Sequence, residues 1–311
     1  MLSVNRLKML REVAARGTLA AAAEALFMTP SAVSQQMAVL EREAGVPLLE
    51  RSGRGVKLTE AGRGLVENTE RILAALEHAE ADLAAASRGV VGHVRVSAFP
   101  TAARSVLVPA LVDLREHHPN LRVSMIDLEP EESLPALKAR ELDVVLTYEW
   151  DLLPSIEDAG VEREELFSEH VYLVLPATHP ANDRPGPLSI SQFADAEWIV
   201  GRDSTSMLDL VTAAGRRTGF VPRTDLHSMD FEVILAGVAA GLGVALGPSL
   251  ALVDRPDGIA VRDLSDLDVN RSVWAAIRRG SGSNPGIATV LEAVRRQAEV
   301  VSANLPGADE P

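Results

Sequence analysis

Hydrogen-bonding side chains gather at one point of the chain, the run TPSAVSQQ from Thr29 to Gln36. Ser31, Ser34, Gln35 and Gln36 bring uncharged hydroxyl and amide groups that both donate and accept. A carboxamide matches the N6/N7 edge of adenine with two hydrogen bonds, and a hydroxyl is permissive among bases. Thr29 followed by Pro30 reads as a helix start. The threonine oxygen caps free N–H groups, and a proline at the first position gives up a donor that no helical bond would use. The open first turn of such a helix also draws phosphate, to which Thr29 can donate. These residue types suit a helix whose polar leading end meets base edges. Taken alone they equally make a solvated face, so the elements around them must decide.

Those elements are helices. Val4, Leu7, Leu10 and Val13 recur at helical spacing in VNRLKMLREVAAR, and Gly17 stops the run. Thr18 then caps LAAAAEALF, a second helix so rich in alanine that a neighbour can approach closely. In the third, Val33, Met37, Leu40 and Ala44 form the stripe to be buried, and Gly45 ends it. Two short helices joined by a tight turn, the second led by polar residues, predict a helix-turn-helix. Two short extended stretches, 48–50 and 56–58, flank the basic, glycine-rich Ser52-Gly53-Arg54-Gly55, so a hairpin follows and the unit is a winged helix.

Charge separates this part from the rest. Residues 1–64 hold nine Lys and Arg against six Asp and Glu, while the remainder holds 21 against 38. The net charge of −14 therefore sits outside the N-terminal segment, the one part suited to face nucleic acid. The chain has no cysteine, which excludes disulfides, thiol catalysis and cysteine-held zinc. The N-terminus MLSVNRLKML has no apolar leader core, and no apolar run reaches about 18 residues, so a soluble cytoplasmic protein is expected.

Thr59 caps a long helix over roughly 60–87. Leu65, Thr69, Ile72, Leu76, Ala79 and Leu83 alternate steps of four and three along it, a heptad seam. Leu65, Ile72, Leu76 and Leu83 are the expected dimerisation residues; an amphipathic helix lying on its own domain is the plainer alternative. From Gly92 the pattern becomes strand, helix, strand, helix, strand through HVRVSAF, PTAARSVLVPALVDLREHHP, LRVSMIDL, PEESLPALKARE and LDVVLTY. A second set follows after 160 with VYLVLP, EWIVG, helices near 205–219 and 230–240, and VALGP; RSVWAAIRR and GIATVLEAVRRQAEVV close the chain. This is α/β architecture with a largely parallel sheet.

The segment ARGTLAAAAEALFMTPSAVSQQMAVLEREAGVPLLERSGRGVKLTEAG resembles the DNA-binding segment of the LysR-type transcriptional regulators. SEHVYLVLPATHPA and VAAGLGVALGP are similar, more weakly, to that family's effector domain. The resemblance implies a periplasmic-binding-protein-like C-terminal part of two Rossmann-like subdomains, with the chain crossing between them near 160 and 268. The implied organisation is a winged helix-turn-helix domain over 1–59, a linker and dimerisation helix over 60–88, and an effector-binding domain over 89–303. That last domain divides into subdomain I (89–160 and 269–303) and subdomain II (161–268), with a disordered tail at 304–311. It further implies a homotetramer on inverted-repeat promoter DNA, with a small effector altering DNA bending. By position in the motif Arg54 enters the minor groove, and Arg51 and Lys57 contact phosphate. Many family members carry arginine where Gln35 stands, so one cationic contact is missing.

Effector residues are expected in loops at the carboxyl ends of strands. Pro100, Thr101, Tyr148, Ser204, Thr205, Asp230 and Phe231 are the candidates. Thr101 and the Ser204-Thr205-Ser206 run suit a carboxylate, or are plain helix caps; Glu129, Glu149 and Asp151 suit an amine, or are ordinary solvated acids. No cofactor or metal is expected. Gly241-Leu-Gly243 follows a helix and precedes a strand, the reverse of a dinucleotide fingerprint, and the histidines lack ligand spacing. No G-x-S-x-G elbow appears, which weighs against an α/β enzyme carrying an accessory domain. The acidic second half weighs against an architectural DNA coat. A regulator answering to a small effector is the expectation.

Overall fold

A computed structural model describes residues 1–52, 55–85, 90–155, 158–203 and 205–306, and for Arg51 the backbone alone. Arg54, Ser204 and the last five residues of the expected tail lie outside the described residues. Two compact units form: Met1–Ala86 with Asp158–Gly160 and Arg279–Ser283, and Ser87–Glu157 with Val161–Arg278 and Asn284–Pro311.

The first unit opens with α1 (Val4–Arg16), closed by Gly17 at φ +70°, whose N–H bonds Val13 O. Thr18 accepts from Ala21 N to start α2 (Leu19–Ala25), which is shorter than LAAAAEALF because Phe27 turns left-handed at φ +51°. Thr29 accepts from Ala32 N and α3 runs Pro30–Ala44. Leu7, Leu10 and Val13 of α1, Ala22 and Ala23 of α2, and Val33, Met37 and Leu40 of α3 share one core. The alanines let α2 lie close, as their size dictates.

Strands β1 (Leu49–Ser52) and β2 (Gly55–Leu58) pair antiparallel, Ser52 opposite Gly55. The hairpin is fastened at both sides. Val56 N donates to Gly17 O at 3.0 Å, and a Cβ on Gly55 would stand 2.7 Å from the same oxygen. Glu41 Oε1 of α3 accepts from Leu48 N at 2.8 Å and Leu49 N at 3.1 Å. Thr59 accepts from Gly62 N and donates to Pro47 O, launching α4 (Glu60–Ala85).

The second unit is α/β. Strand β3 (Gly92–Ala98) leads into α5 (Pro100–Ala102), a π-helical stretch Ala103–Leu107 and α6 (Val108–His117), which together replace the single expected helix. Then come β4 (Leu121–Asp127), α7 (Pro130–Lys138), β5 (Val144–Trp150) and β6 (Val161–Pro176). Next are β7 (Glu197–Val200), α8 (Ser206–Thr218), β8 (Arg223–His227), α9 (Phe231–Ala239) and β9 (Ala245–Pro248). Strand β10 (Ile259–Arg262), β11 (Asn270–Arg278) and α10 (Pro285–Ser302) finish the chain. Strands β8 and β10, short and mixed in polarity, were not expected.

Strand order is β10-β6-β11-β5-β3-β4, with β9 also on β6. Strands β4, β3 and β5 are parallel; β11 runs against them, antiparallel to both β5 and β6, so the first part of β6 points the same way as β5. The first part of β6, Val161–His170, pairs with β11; the rest, from Val171, pairs with β9 and β10. Strand β6 thus changes partners within its own length, at His170, where the resemblance implied a crossing near 160. Return to β11 comes just before Asn270.

Candidate functional site

At the head of α3, Thr29, Pro30, Ser31, Ser34 and Gln35 are exposed. Gln36 is half-buried, with its amide oxygen 3.5 Å from Arg6 Nη1. Thr29 Oγ1 is committed locally, to Ala32 N at 3.2 Å and Ser31 Oγ at 3.1 Å. Lys57 is exposed on β2. The core stripe of α3 faces inward, so the exposed polar residues share the face away from Leu10 and Leu40.

Along α4 the seam divides. Ile72, Leu76 and Leu83 are exposed, Leu83 at 76%. Leu65 instead packs on the winged-helix core, and Thr69 is buried with its hydroxyl donating to Leu65 O. Leu65 is therefore spent within its own chain. Burial on α4 follows Glu70, Leu73, Glu77 and Ala81 instead.

The second unit holds a cavity between its subdomains, lined by Phe99, Thr101, Glu129, Tyr148, Phe231 and Arg271 among others. At its wall Arg271 is 1% exposed, and its ion-pair partner Glu169 is 2% exposed. Arg271 Nε donates to Glu169 Oε1 at 2.7 Å, and Nη2 donates to Thr101 Oγ1 at 3.2 Å. Glu169 Oε2 accepts from Leu250 N at 2.5 Å. The guanidinium lies 4.8 Å from the ring of Phe99, 5.1 Å from Tyr148 and 5.4 Å from Trp150. A planar, weakly hydrated cation suits that aromatic surround.

Glu129 faces the same cavity and accepts from Tyr148 OH at 3.0 Å. Burial pushes its carboxyl up to about 7; the Tyr148 bond and Arg271 pull it back, while Glu131 and Glu132 add to the rise. Burial, and then the charge of Glu129, raise the Tyr148 phenol well above its usual value. Two bonds join the subdomains here: Ser206 N to Glu131 Oε1 at 2.9 Å and Ser206 Oγ to Tyr148 OH at 3.3 Å.

Pro100, Thr101 and Phe231 also line a neighbouring groove of about 350 Å³, whose other walls are Leu235, Ala236 and Ala251, with Asp230, Glu232 and Asp254 at its rim. Arg104 stands 3.5 Å from both Glu232 and Asp254. Pro100, Thr101, Tyr148, Asp230 and Phe231 are thus brought together. Thr205 is not; its hydroxyl donates to Arg202 O at 2.6 Å. Glu149 turns away to Arg163 and Ser155. Arg271 and Glu169 were missed, though their strand phase marks them: Arg271 alternates with Val273 and Ala275, Glu169 with Phe167 and Val171, all inward.

Residues 87–299 match the LysR substrate-binding domain, and residues 4–63 the helix-turn-helix of bacterial regulatory proteins of the lysR family. The chain belongs to the LysR family of transcriptional regulators. This LysR regulator is 30% identical to the probable HTH-type transcriptional regulator LrrA of Synechococcus elongatus, over 97% of this chain and 99% of that one. It is 28% identical to the regulator TfdS of Cupriavidus pinatubonensis, over 91% and 94%. Among solved structures it resembles full-length CbnR complexed with its target DNA, at 27% identity and TM-score 0.52 over 96% of this chain and 100% of that one. A likeness in fold extends to an OxyR mutant of Corynebacterium glutamicum, at 24% identity and TM-score 0.60, over 100% and 98%. The regulator thus joins a helix-turn-helix DNA-binding domain to an effector-binding domain; its family regulates transcription rather than catalysing a reaction.

Proposed function

We propose that the exposed face of α3 reads promoter DNA, with Ser31, Ser34 and Gln35 at base edges and Gln36 at bases or phosphate. The observation that carries this is the combination of a capped helix, a buried stripe and a polar exposed head. Thr29 and Pro30 set the helix start against the backbone of the duplex, and Lys57 on the wing meets phosphate. Roles for Arg51 and Arg54 rest on the sequence motif alone. The exposed Ile72, Leu76 and Leu83 support pairing of α4 with a second copy, and the homotetramer is proposed from the family. CbnR, solved with its target DNA, supports the same mode of binding. No helix among the described residues is long and apolar enough to cross a membrane, and the protein is proposed to act in the cytoplasm.

The effector is proposed to lie between the subdomains, against Pro100, Thr101, Tyr148, Asp230 and Phe231. A chain without cysteine cannot answer an oxidant through a thiol, so binding in the cleft is the favoured input. The deciding experiment is fluorescence anisotropy of the full chain with the duplex just upstream of its own gene, beside a scrambled duplex, across salt. Preference for the real sequence with a salt-dependent affinity supports the reading. Absence of binding to both duplexes refutes it.

A further inference from the structure

Charge in the cleft is lopsided. Arg271 is neutralised by Glu169, and Arg104 is shared between Glu232 and Asp254. Glu129 is left over: among the described residues its side chain meets the Tyr148 hydroxyl and forms no ion pair. A carboxylate ligand finds few donors, since the N–H of Ser206 already serves Glu131 and Thr101 Oγ1, accepting from Arg271, has only its single hydroxyl proton to give. It would also stand among Glu129, Asp230, Glu232 and Asp254, where like charge repels it.

Shape agrees with charge. The cavity beside Glu129 has about 10 Å³ free, room for one water-sized group. Its aromatic lining, Phe99, Tyr148 and Phe231, is of a kind that accepts a cation, and the rings of Phe99 and Tyr148 already carry the Arg271 guanidinium at 4.8 and 5.1 Å. Through Pro100, Thr101 and Phe231 it shares walls with the larger groove, whose floor of Leu235, Ala236 and Ala251 is apolar.

We infer that the ligand of this cleft is a primary amine, its ammonium seated against the Glu129 carboxylate and its apolar body lying in the groove over Leu235 and Ala251. The inference rests on the reading of this cleft as the effector site. An ammonium fits a water-sized space that a planar guanidinium would overfill. Binding would keep Glu129 ionised. The groups that face it are Tyr148 from β5, Arg271 from β11, and Glu131 and Glu132 from α7, and only Arg271 favours the ionised form by its charge. Since Glu129 titrates near neutrality, amine uptake should release a proton, and affinity should rise as pH increases toward about 7.

The test is calorimetric titration of the full chain with phenethylamine and hexylamine against phenylacetate and hexanoate. Both amines should bind at least about tenfold more tightly than their carboxylate counterparts, and Glu129→Gln should weaken them by about tenfold or more. Proton release, read from the dependence of heat on buffer, should vanish in the same variant. Asp254→Asn, at the groove rim, serves as a second variant and should weaken amines by a smaller factor; melting curves check that both variants fold. Preference for carboxylates, amine affinity unmoved by Glu129→Gln, or no amine binding at millimolar concentration overturns the inference. DNA binding by the unsubstituted chain is followed separately. Its loss would refute the regulator reading, whereas intact DNA binding with carboxylates preferred would refute the amine alone.

Discussion

Glu131 Oε1 accepts the backbone N–H of Ser206 at 2.9 Å, so a carboxylate from the first subdomain closes the first turn of a helix in the second. That turn attracts negative charge through its free N–H groups and its dipole. The protein supplies the anion itself. With Ser206 Oγ on Tyr148, the contact forms a clasp across the cleft.

Glu131→Ala should release the clasp. A hydrogen bond to a charged acceptor contributes about 1.5–3 kcal/mol, so amide exchange at the start of α8 should accelerate by about tenfold or more. Hydrogen exchange read by mass spectrometry over the first turn of α8 checks this. Unchanged exchange would mean that the clasp carries no energy.

Removing Arg271 should be costly. Arg271→Met leaves Glu169 buried without its cation, and breaking such a pair costs about 3–5 kcal/mol. The double replacement Arg271→Met with Glu169→Leu should recover most of that loss. Denaturant melts of the three chains decide it, and a double variant no better than the single would refute the pairing argument.

Glu129 should make stability depend on pH. Its folded value of about 7 lies above the ordinary 4.5, so its contribution is fully present below about 4.5 and is lost as pH rises through about 7. Allowing for its partial contact with solvent, the loss is on the order of 2 kcal/mol. Glu129→Gln should flatten that part of the melting profile, and an unchanged slope would remove Glu129 as its source.

On the DNA side, Lys57→Ala should lower the slope of log affinity against log salt by about one, equally for all duplexes. Gln35→Ala should leave that slope alone and relax preference at one base position, a loss of about 1–3 kcal/mol in discrimination. Anisotropy titrations on point-substituted duplexes separate the two outcomes.

Leu76→Glu places a charge on the exposed seam of α4. Sedimentation should then show smaller species than the unsubstituted chain forms. Intact assemblies would show that α4 is not an assembly surface.

The N-terminal helices could be read from sequence because their signals are local. Thr18, Thr29 and Thr59 cap the helices they precede, and Gly17 and Gly45 end theirs in the left-handed conformation. Other features depended on partners distant in the chain. Arg271 and Glu169 look like surface charges until strand phase and the pairing of β6 with β11 bury them side by side. Heptad spacing counted Leu65 into the seam, yet the winged-helix core claims it. Glu129 and Glu149 resemble each other in sequence; one faces the cavity and the other bonds Arg163, and only the fold separates them. The crossing inside β6 was hidden because a strand that changes sheets carries no break in its residues.

That crossing strand has a mechanical consequence. At the point of passage the two chain segments are bonded to each other, His170 opposite Asn270 and Val171 N donating to Val269 O at 2.9 Å. Two bonded ribbons side by side behave as a leaf spring: they flex across their flat face and resist twisting or sliding. Opening and closing of the cleft then has one soft direction. Glu169 and Arg271 sit at the clamped end of that spring, beside Thr101. A molecule seated beside Thr101 would press on the lever close to its fulcrum.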